Sequence, residues 1–208
     1  MTIEQIGIVA LAQLEATHAA REQVLPIARA LVRQCANTIR ACQRSEWAEA
    51  AALLDGARAA VGQLRAALAA RPELTFAGYT QDALKEYAEA ALVYALLRGE
   101  DMPGPDELGV EAAAYLNGMA EAASELRRAI LDGLRNGEVT RGEALLTQMD
   151  DIYSLCVTVD FPDAVTGGLR RTTDALRAVL ERTRGDMTAA LRQEQLVAAL
   201  RTLEGKLA

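Results

Sequence analysis

The sequence predicts an all-α protein folded as one domain over 1–208, and three observations carry that reading. Its 208 residues are 51% hydrophobic but only 4% aromatic, a balance reached with Ala, Leu and Arg, which enter helices at little cost. Apolar residues recur three and four apart over long stretches, which gathers them on one side of a helix. No window alternates convincingly at the period of two that a half-buried strand requires. A chain of this length can bury a sizeable core by itself.

Taken in order, Ile3 to Arg44 carries Ile8, Leu11, Leu14, Val24, Ile27, Leu31 and Ile39 at helical spacing. Pro26 is expected to kink or divide this helix, because it lacks an N–H and crowds the preceding turn. Ser45 is the expected cap of a second helix running to about Ala70, with Trp47, Ala51, Leu54 and Val61 on its apolar side. Arg71-Pro72 ends that helix. A short loop from Glu73 to Tyr79 leads to Thr80, the expected cap of a third helix, which Gly99 closes. Pro103, Gly104 and Pro105 make Glu100 to Glu107 a loop. A fourth helix spans roughly Leu108 to Leu134, and so short a connection lays it antiparallel to the third. Asn136-Gly137 turns the chain, and Thr140-Arg141-Gly142-Glu143 reads as a capping box opening a fifth helix that ends near Thr158. Asp160 to Asp163 and then Gly167-Gly168 interrupt the pattern. From Leu169 the period returns through Leu176, Val179, Leu180, Met187, Leu191, Leu196, Leu200 and Leu203, and Gly185 bends this last helix without ending it.

Composition excludes several function classes. The single His18 rules out Ser-His-Asp and Cys-His catalysis and cannot join the cysteines in a zinc site at any usual spacing. No glycine-rich phosphate loop and no tandem repeat occurs. Cys35, Cys42 and Cys156 are too few and too scattered for a disulfide framework, so they read as core thiols in a reducing, cytoplasmic setting. The apolar run from Ile6 to Leu11 has no basic flank or cleavage site, so neither a leader nor a membrane span is expected. The net charge of −7 is unlike that of an average nucleic-acid binder. An acidic chain can still carry a local basic face. The cations here are almost all Arg, which forms bidentate contacts to phosphate; the only lysines are Lys85 and Lys206.

Two patterns carry chemistry. Glu86 and Glu89 stand three apart on the third helix, and Glu121 and Glu125 stand four apart on the fourth, so each pair shares a helix face. Asp82, Lys85, Glu86 and Glu89 form a polar stripe that runs on into Leu92, Val93 and Leu96, which places the two glutamates at the margin of the core. Asn117, Glu121, Ser124, Glu125 and Arg128 form the matching stripe, and Ala114 and Gly118 leave room for close approach one turn earlier. Four carboxylates on neighbouring helices are a donor set for Mg2+, with Mn2+ as the alternative; the competing reading is a pair of ordinary solvated faces. The second pattern is basic: Arg29, Arg33, Arg40 and Arg44 share one face of the first helix, with Arg21 nearby. It is either a phosphate-contacting surface or a solvated, salt-bridged one.

Several stretches resemble the translin family, which includes translin and its nuclease partner Trax. They are Arg21-Glu22-Gln23-Val24-Leu25 with Arg29, Arg33 and Ile39-Arg40; Glu86-Tyr87-Ala88-Glu89-Ala90; and above all Tyr115-Leu116-Asn117-Gly118-Met119-Ala120-Glu121-Ala122-Ala123-Ser124-Glu125-Leu126-Arg127-Arg128. The tail from Leu169-Arg170-Arg171 to Arg184-Gly185-Asp186 is also similar. The resemblance implies a seven-helix subunit of a hollow homo-octamer that encloses single-stranded RNA or DNA. It implies a Trax-like endoribonuclease, a hydrolase using Mg2+, with Glu86, Glu89, Glu121 and Glu125 as both metal ligands and catalytic residues. Arg21, Arg29, Arg33, Arg40 and Arg44 would then hold the nucleic acid. A non-catalytic, translin-like binding oligomer is the alternative. Two positions depart from the family pattern: Glu121 replaces an Asp, adding a methylene, and Ser124 replaces a Gly.

Overall fold

Pro26 does not divide the first helix. The computed structural model of the chain describes residues 1–207, and in it α1 runs unbroken over Ile3–Gln43. Pro26 lies on an exposed side, where the carbonyl left unbonded in the preceding turn is open to water. Then follow α2 (Trp47–Leu68), a 3-10 turn (Pro72–Phe76), α3 (Gly78–Arg98), α4 (Pro105–Leu108), α5 (Ala112–Arg135), α6 (Val139–Val157), α7 (Asp163–Thr166) and α8 (Leu169–Leu207). No strand occurs among the described residues. Among the described residues there are eight helices rather than seven, because α4 and α7 are four-residue turns of helix between the six long elements.

Three expected caps are not used as caps. Ser45 has φ 59° and makes the left-handed turn that closes α1, so Glu46 takes the cap position of α2. Asn, Asp and Gly tolerate that conformation best, and a small Ser takes it here. Thr80 lies inside α3, which starts at Gly78; its hydroxyl donates to the Leu74 carbonyl at 2.9 Å and ties the helix to the preceding turn. Thr140 lies inside α6, which starts at Val139 without a side-chain cap. The fourth predicted helix also begins late. Gly109 takes φ 61° after α4, and the chain re-enters helix only at Ala112. Gly99 at φ 69° closes α3 as expected, and Gly137 at φ 80° makes the turn after α5.

α3 and α5 form the middle of the bundle. α1 and α2 pack together, with α1 also on α3, while α6 and α8 pack on α5 and on each other. Leu31, Leu84, Tyr87, Leu92, Leu126 and Leu176 are among the large side chains buried almost completely, each contributing about 1.5–3 kcal/mol of transfer free energy. The second half of α3, from Tyr87 to Leu97, is buried on nearly every side, as the middle of a bundle must be, while Asp82, Lys85 and Glu86 keep its first half polar on one face. The two outermost helices behave differently at their ends. Ile8, Leu11 and Leu14, expected in the core, are 60% or more exposed, and Leu196, Leu200 and Leu203 are at least half exposed. The helical period is sound in both places, but no described element of this chain covers it.

Candidate metal centre

The acidic site exists because two helix backbones come unusually close. A Cβ at Gly118 on α5 would lie 2.6 Å from the Lys85 carbonyl oxygen and 3.0 Å from the Glu89 nitrogen on α3. Only Gly allows that approach. Asn117, beside it, is buried and staples three elements: its amide donates to the Ala113 and Thr166 carbonyls, and its oxygen accepts from the Thr172 hydroxyl at 2.7 Å. Asn117 therefore belongs to the core, not to a solvated stripe. One turn beyond Gly118, Glu121 is delivered to the α3 face.

There Glu86, Glu89 and Glu121 each offer an oxygen, and these oxygens lie within 4.8 Å of one another. Glu89 is buried, while Glu86 and Glu121 are half-buried. Burial, then the charges of Glu86, Glu121 and Glu125, push the Glu89 carboxyl up to about 8, with Lys85 pulling the other way. Lys85 lies between the helices. Its ammonium donates to Glu121 Oε2 at 2.5 Å and lies 3.3 Å from Glu86 Oε1. Burial lowers its pKa, but the bond to Glu121 and the charges of Glu121 and Glu86 together raise it above the ordinary value. In the cluster, then, one carboxyl tends to hold a proton and two others share an ammonium. Such a site demands positive charge, and its all-oxygen donor set fits a hard divalent cation such as Mg2+ or Mn2+.

Glu125 stands apart from this group of three. Gln43 of α1 donates from Nε2 to both the Glu125 carbonyl at 3.0 Å and Glu125 Oε2 at 3.2 Å. Arg128 lies 4.0 Å from Asp132. Spacing along α5 placed Glu125 beside Glu121 but could not reveal Gln43, which lies 82 residues away in the chain. Beneath the cluster lies Cys35, whose thiol is pushed up to about 12 by burial and then by Glu86 and Glu89. Cys42, driven up to about 11 mainly by burial, and Cys156, raised by burial, are likewise buried.

The basic residues of α1 are all exposed but not equally free. Arg21 pairs with Glu22 and lies 5.9 Å from the Tyr79 ring centre. Arg40 donates to Asn37, and Arg44 pairs with Glu46. Arg29 and Arg33 line a groove of about 690 Å³ whose far wall includes Tyr79, Lys85 and Glu86; among the described residues neither has an ion-pair partner within 4.0 Å. A second groove, of about 720 Å³, approaches from the α5 side and is lined by Gln81, Asn117, Glu121 and Lys85 among others. The two grooves meet at Asp82 and Lys85. The basic stripe and the acidic cluster thus share one surface depression.

No helix is long and apolar enough to cross a membrane. No family model matches the sequence. An uncharacterized protein of Methanocaldococcus jannaschii is 30% identical over 178 residues, which cover 85% of this chain and 78% of that protein. Among solved structures, AfC3PO in complex with duplex RNA superposes with a TM-score of 0.81 at 32% identity, over 88% of this chain and 95% of that one. AfC3PO is also solved by itself and matches equally well. Apo-NeC3PO has a TM-score of 0.77 at 16% identity, over 91% of this chain and 98% of that one, a likeness of fold.

Proposed function

The chain belongs to the translin family, and on that premise we propose that it is a metal-dependent endoribonuclease that binds and cleaves single-stranded RNA within an oligomeric shell. The observation that carries the proposal is the meeting of Glu86, Glu89 and Glu121, from two helices, with oxygens within 4.8 Å. These three would hold Mg2+ or Mn2+. A bound divalent ion would supply activation of water and neutralisation of charge developing on the phosphate. Glu125, held by Gln43, adds negative charge to the same face and completes the acidic set. Arg29 and Arg33 would seat the RNA backbone along the groove leading to the cluster. Glu89 would release its proton as the ion binds, because a cation reverses the field that keeps the carboxyl neutral.

The shell is part of the proposal. The exposed apolar ends of α1 and α8 are faces that one subunit leaves uncovered, which supports self-association, with a homo-octamer as the expected form. Light scattering that found a monomer at micromolar concentration would refute it. AfC3PO is solved with duplex RNA, so a closed assembly is not by itself an argument for single strands, and both forms belong in the assay.

The test is cleavage of end-labelled single-stranded and duplex RNA, with Mg2+ and with excess chelator. Mg2+-dependent cutting of the single strand, lost in Glu121→Gln, is the expected result. Metal-independent cutting, or full activity in Glu121→Gln, would overturn the assignment. RNA retention without cutting would favour the second reading, a non-catalytic binding oligomer of single-stranded RNA or DNA. Glu121, one methylene longer than the family Asp and already paired with Lys85, is the feature that favours that reading.

A further inference from the structure

This chain uses Arg for nearly all its positive charge, with Lys85 and Lys206 the exceptions. Lys85 stands at the one place where a compact, retractable cation differs most from a fork. Its ammonium bridges Glu121 on α5 and Glu86 on α3, at 2.5 and 3.3 Å, which are two of the three carboxylates brought within 4.8 Å. Its side chain is 22% exposed, and both grooves that reach the cluster open beside it. We propose that Lys85 is a resident counter-cation that a divalent ion must displace, so that it sets the metal affinity of the site. The inference rests on the reading of Glu86, Glu89 and Glu121 as ligands.

The physical argument is one of competing charges. Without an ion, Glu86 and Glu121 face each other across α3 and α5, and the ammonium offsets their repulsion. A divalent ion on the oxygens that the ammonium holds would repel a cation 2.5 Å from Glu121, and that repulsion drives the ammonium out. The four-carbon stem of Lys lets it swing into either groove, both of which it already lines. There it would face the RNA backbone beside Arg29 and Arg33. A guanidinium at the same place would grip Glu121 in a bidentate pair and would not retreat as readily. Metal loading and the arrival of a cation at the phosphate groove would then be one event.

The experiment titrates the whole protein with Mn2+ alone, following free Mn2+ by electron paramagnetic resonance, for wild type, Lys85→Met and Lys85→Arg. Lys85→Met should bind at least about tenfold more tightly than wild type, equivalent to about 1.4 kcal/mol, and Lys85→Arg more weakly than wild type. If wild type binds Mn2+ and Lys85→Met binds with the same or lower affinity, the lysine has no such role, while the carboxylate ligands stand. If neither binds, both this inference and the metal reading fall. Should Lys85→Met be unfolded without metal, a melting transition restored by Mn2+ supports the proposal. If it stays unfolded with Mn2+, Lys85→Arg decides: affinity equal to or above wild type overturns the proposal, and weaker affinity upholds it.

Discussion

Glu86, Glu89 and Glu121 stand on two helices whose backbones nearly touch at Gly118, whereas Arg29 and Arg33 stand exposed on the rim of the groove. The acidic floor of the groove is set by packing: the close approach of α5 to α3 at Gly118 fixes the backbone positions from which the three carboxylates project. The basic rim is fixed only by the helix that carries it. Burial also divides them chemically. It drives Glu89 far from its ordinary protonation, while the arginines keep water around their charge. Chemistry that depends on placement belongs on the floor, and attraction at a distance belongs on the rim.

The largest expected effect breaks the floor without disturbing its shape. Glu89→Gln closely mimics the protonated carboxyl and should cost cleavage about 10³-fold, or about 4 kcal/mol of transition-state stabilisation. Single-turnover cleavage measures it, and melting of the metal-free variant near neutral pH should be unchanged or higher. Glu121→Gln should cost as much activity but also lower the metal-free melting temperature, because it abandons Lys85. Identical melting of the two variants would erase the distinction drawn here between the two carboxylates.

Gly118→Ala strikes the packing itself. The added methyl meets backbone at 2.6 Å and cannot be relieved by a side-chain rotation. The gain of about 1 kcal/mol in helix propensity is outweighed, and a net loss of about 3 kcal/mol is expected, read by urea denaturation. A neutral or stabilising result would show that α3 and α5 are not locked as described.

A pH series sharpens the comparison further. Glu89 rises from the ordinary 4.5 to about 8 on folding, so the folded state holds the proton more tightly than the unfolded one. Its favourable contribution is complete below about pH 4.5 and is lost as pH climbs towards 8. Metal-free protein should therefore lose on the order of a few kcal/mol of stability across that window. Glu89→Gln should flatten the loss, and saturating Mg2+ should reverse it by binding only the folded, ionised site. Melting temperatures of wild type and variant at pH 5 and pH 8, with and without Mg2+, provide the check.

The smallest effect is at the rim. Arg29→Glu with Arg33→Glu should weaken RNA binding about tenfold at low salt and reduce the salt slope by about 2, with the fold unchanged. Arg44→Ala, whose charge is already engaged by Glu46, should change affinity by less than about twofold. Fluorescence anisotropy over a salt series separates the two, and an equal response from both sites would mean that the stripe acts as a diffuse field.

The same comparison explains what was legible in the residues. Helix type and order follow from period alone, and Glu86, Glu89 and Glu121 were visible because a three-residue spacing and a glycine one turn earlier are local facts. The caps at Ser45, Thr80 and Thr140 misled because each hydroxyl found other work, or none, a residue or more from the helix start. Ile8 and Leu200 show the limit of periodicity: it identifies an apolar face but not whether this chain or another covers it. Gln43 holding Glu125 joins helices with no local signature in common, and Lys85 was visible as a neighbour of Glu86 but not as the bridge to α5.

The buried thiols give the molecule a clock. Burial, then Glu86 and Glu89, hold the Cys35 thiol in its neutral, unreactive form at neutral pH, and the side chain is sealed from solvent. An alkylating reagent can reach it only when α1 lifts from α3, so the rate of adduct formation counts those openings rather than ordinary collisions. Cys156, buried on α6 at the margin of a groove, offers a second such site in the half of the bundle built by α6 and α8. Mass spectrometry of a timed alkylation would thus rank how often each half breathes, and would show whether an ion on the carboxylates slows one half and leaves the other at its own pace.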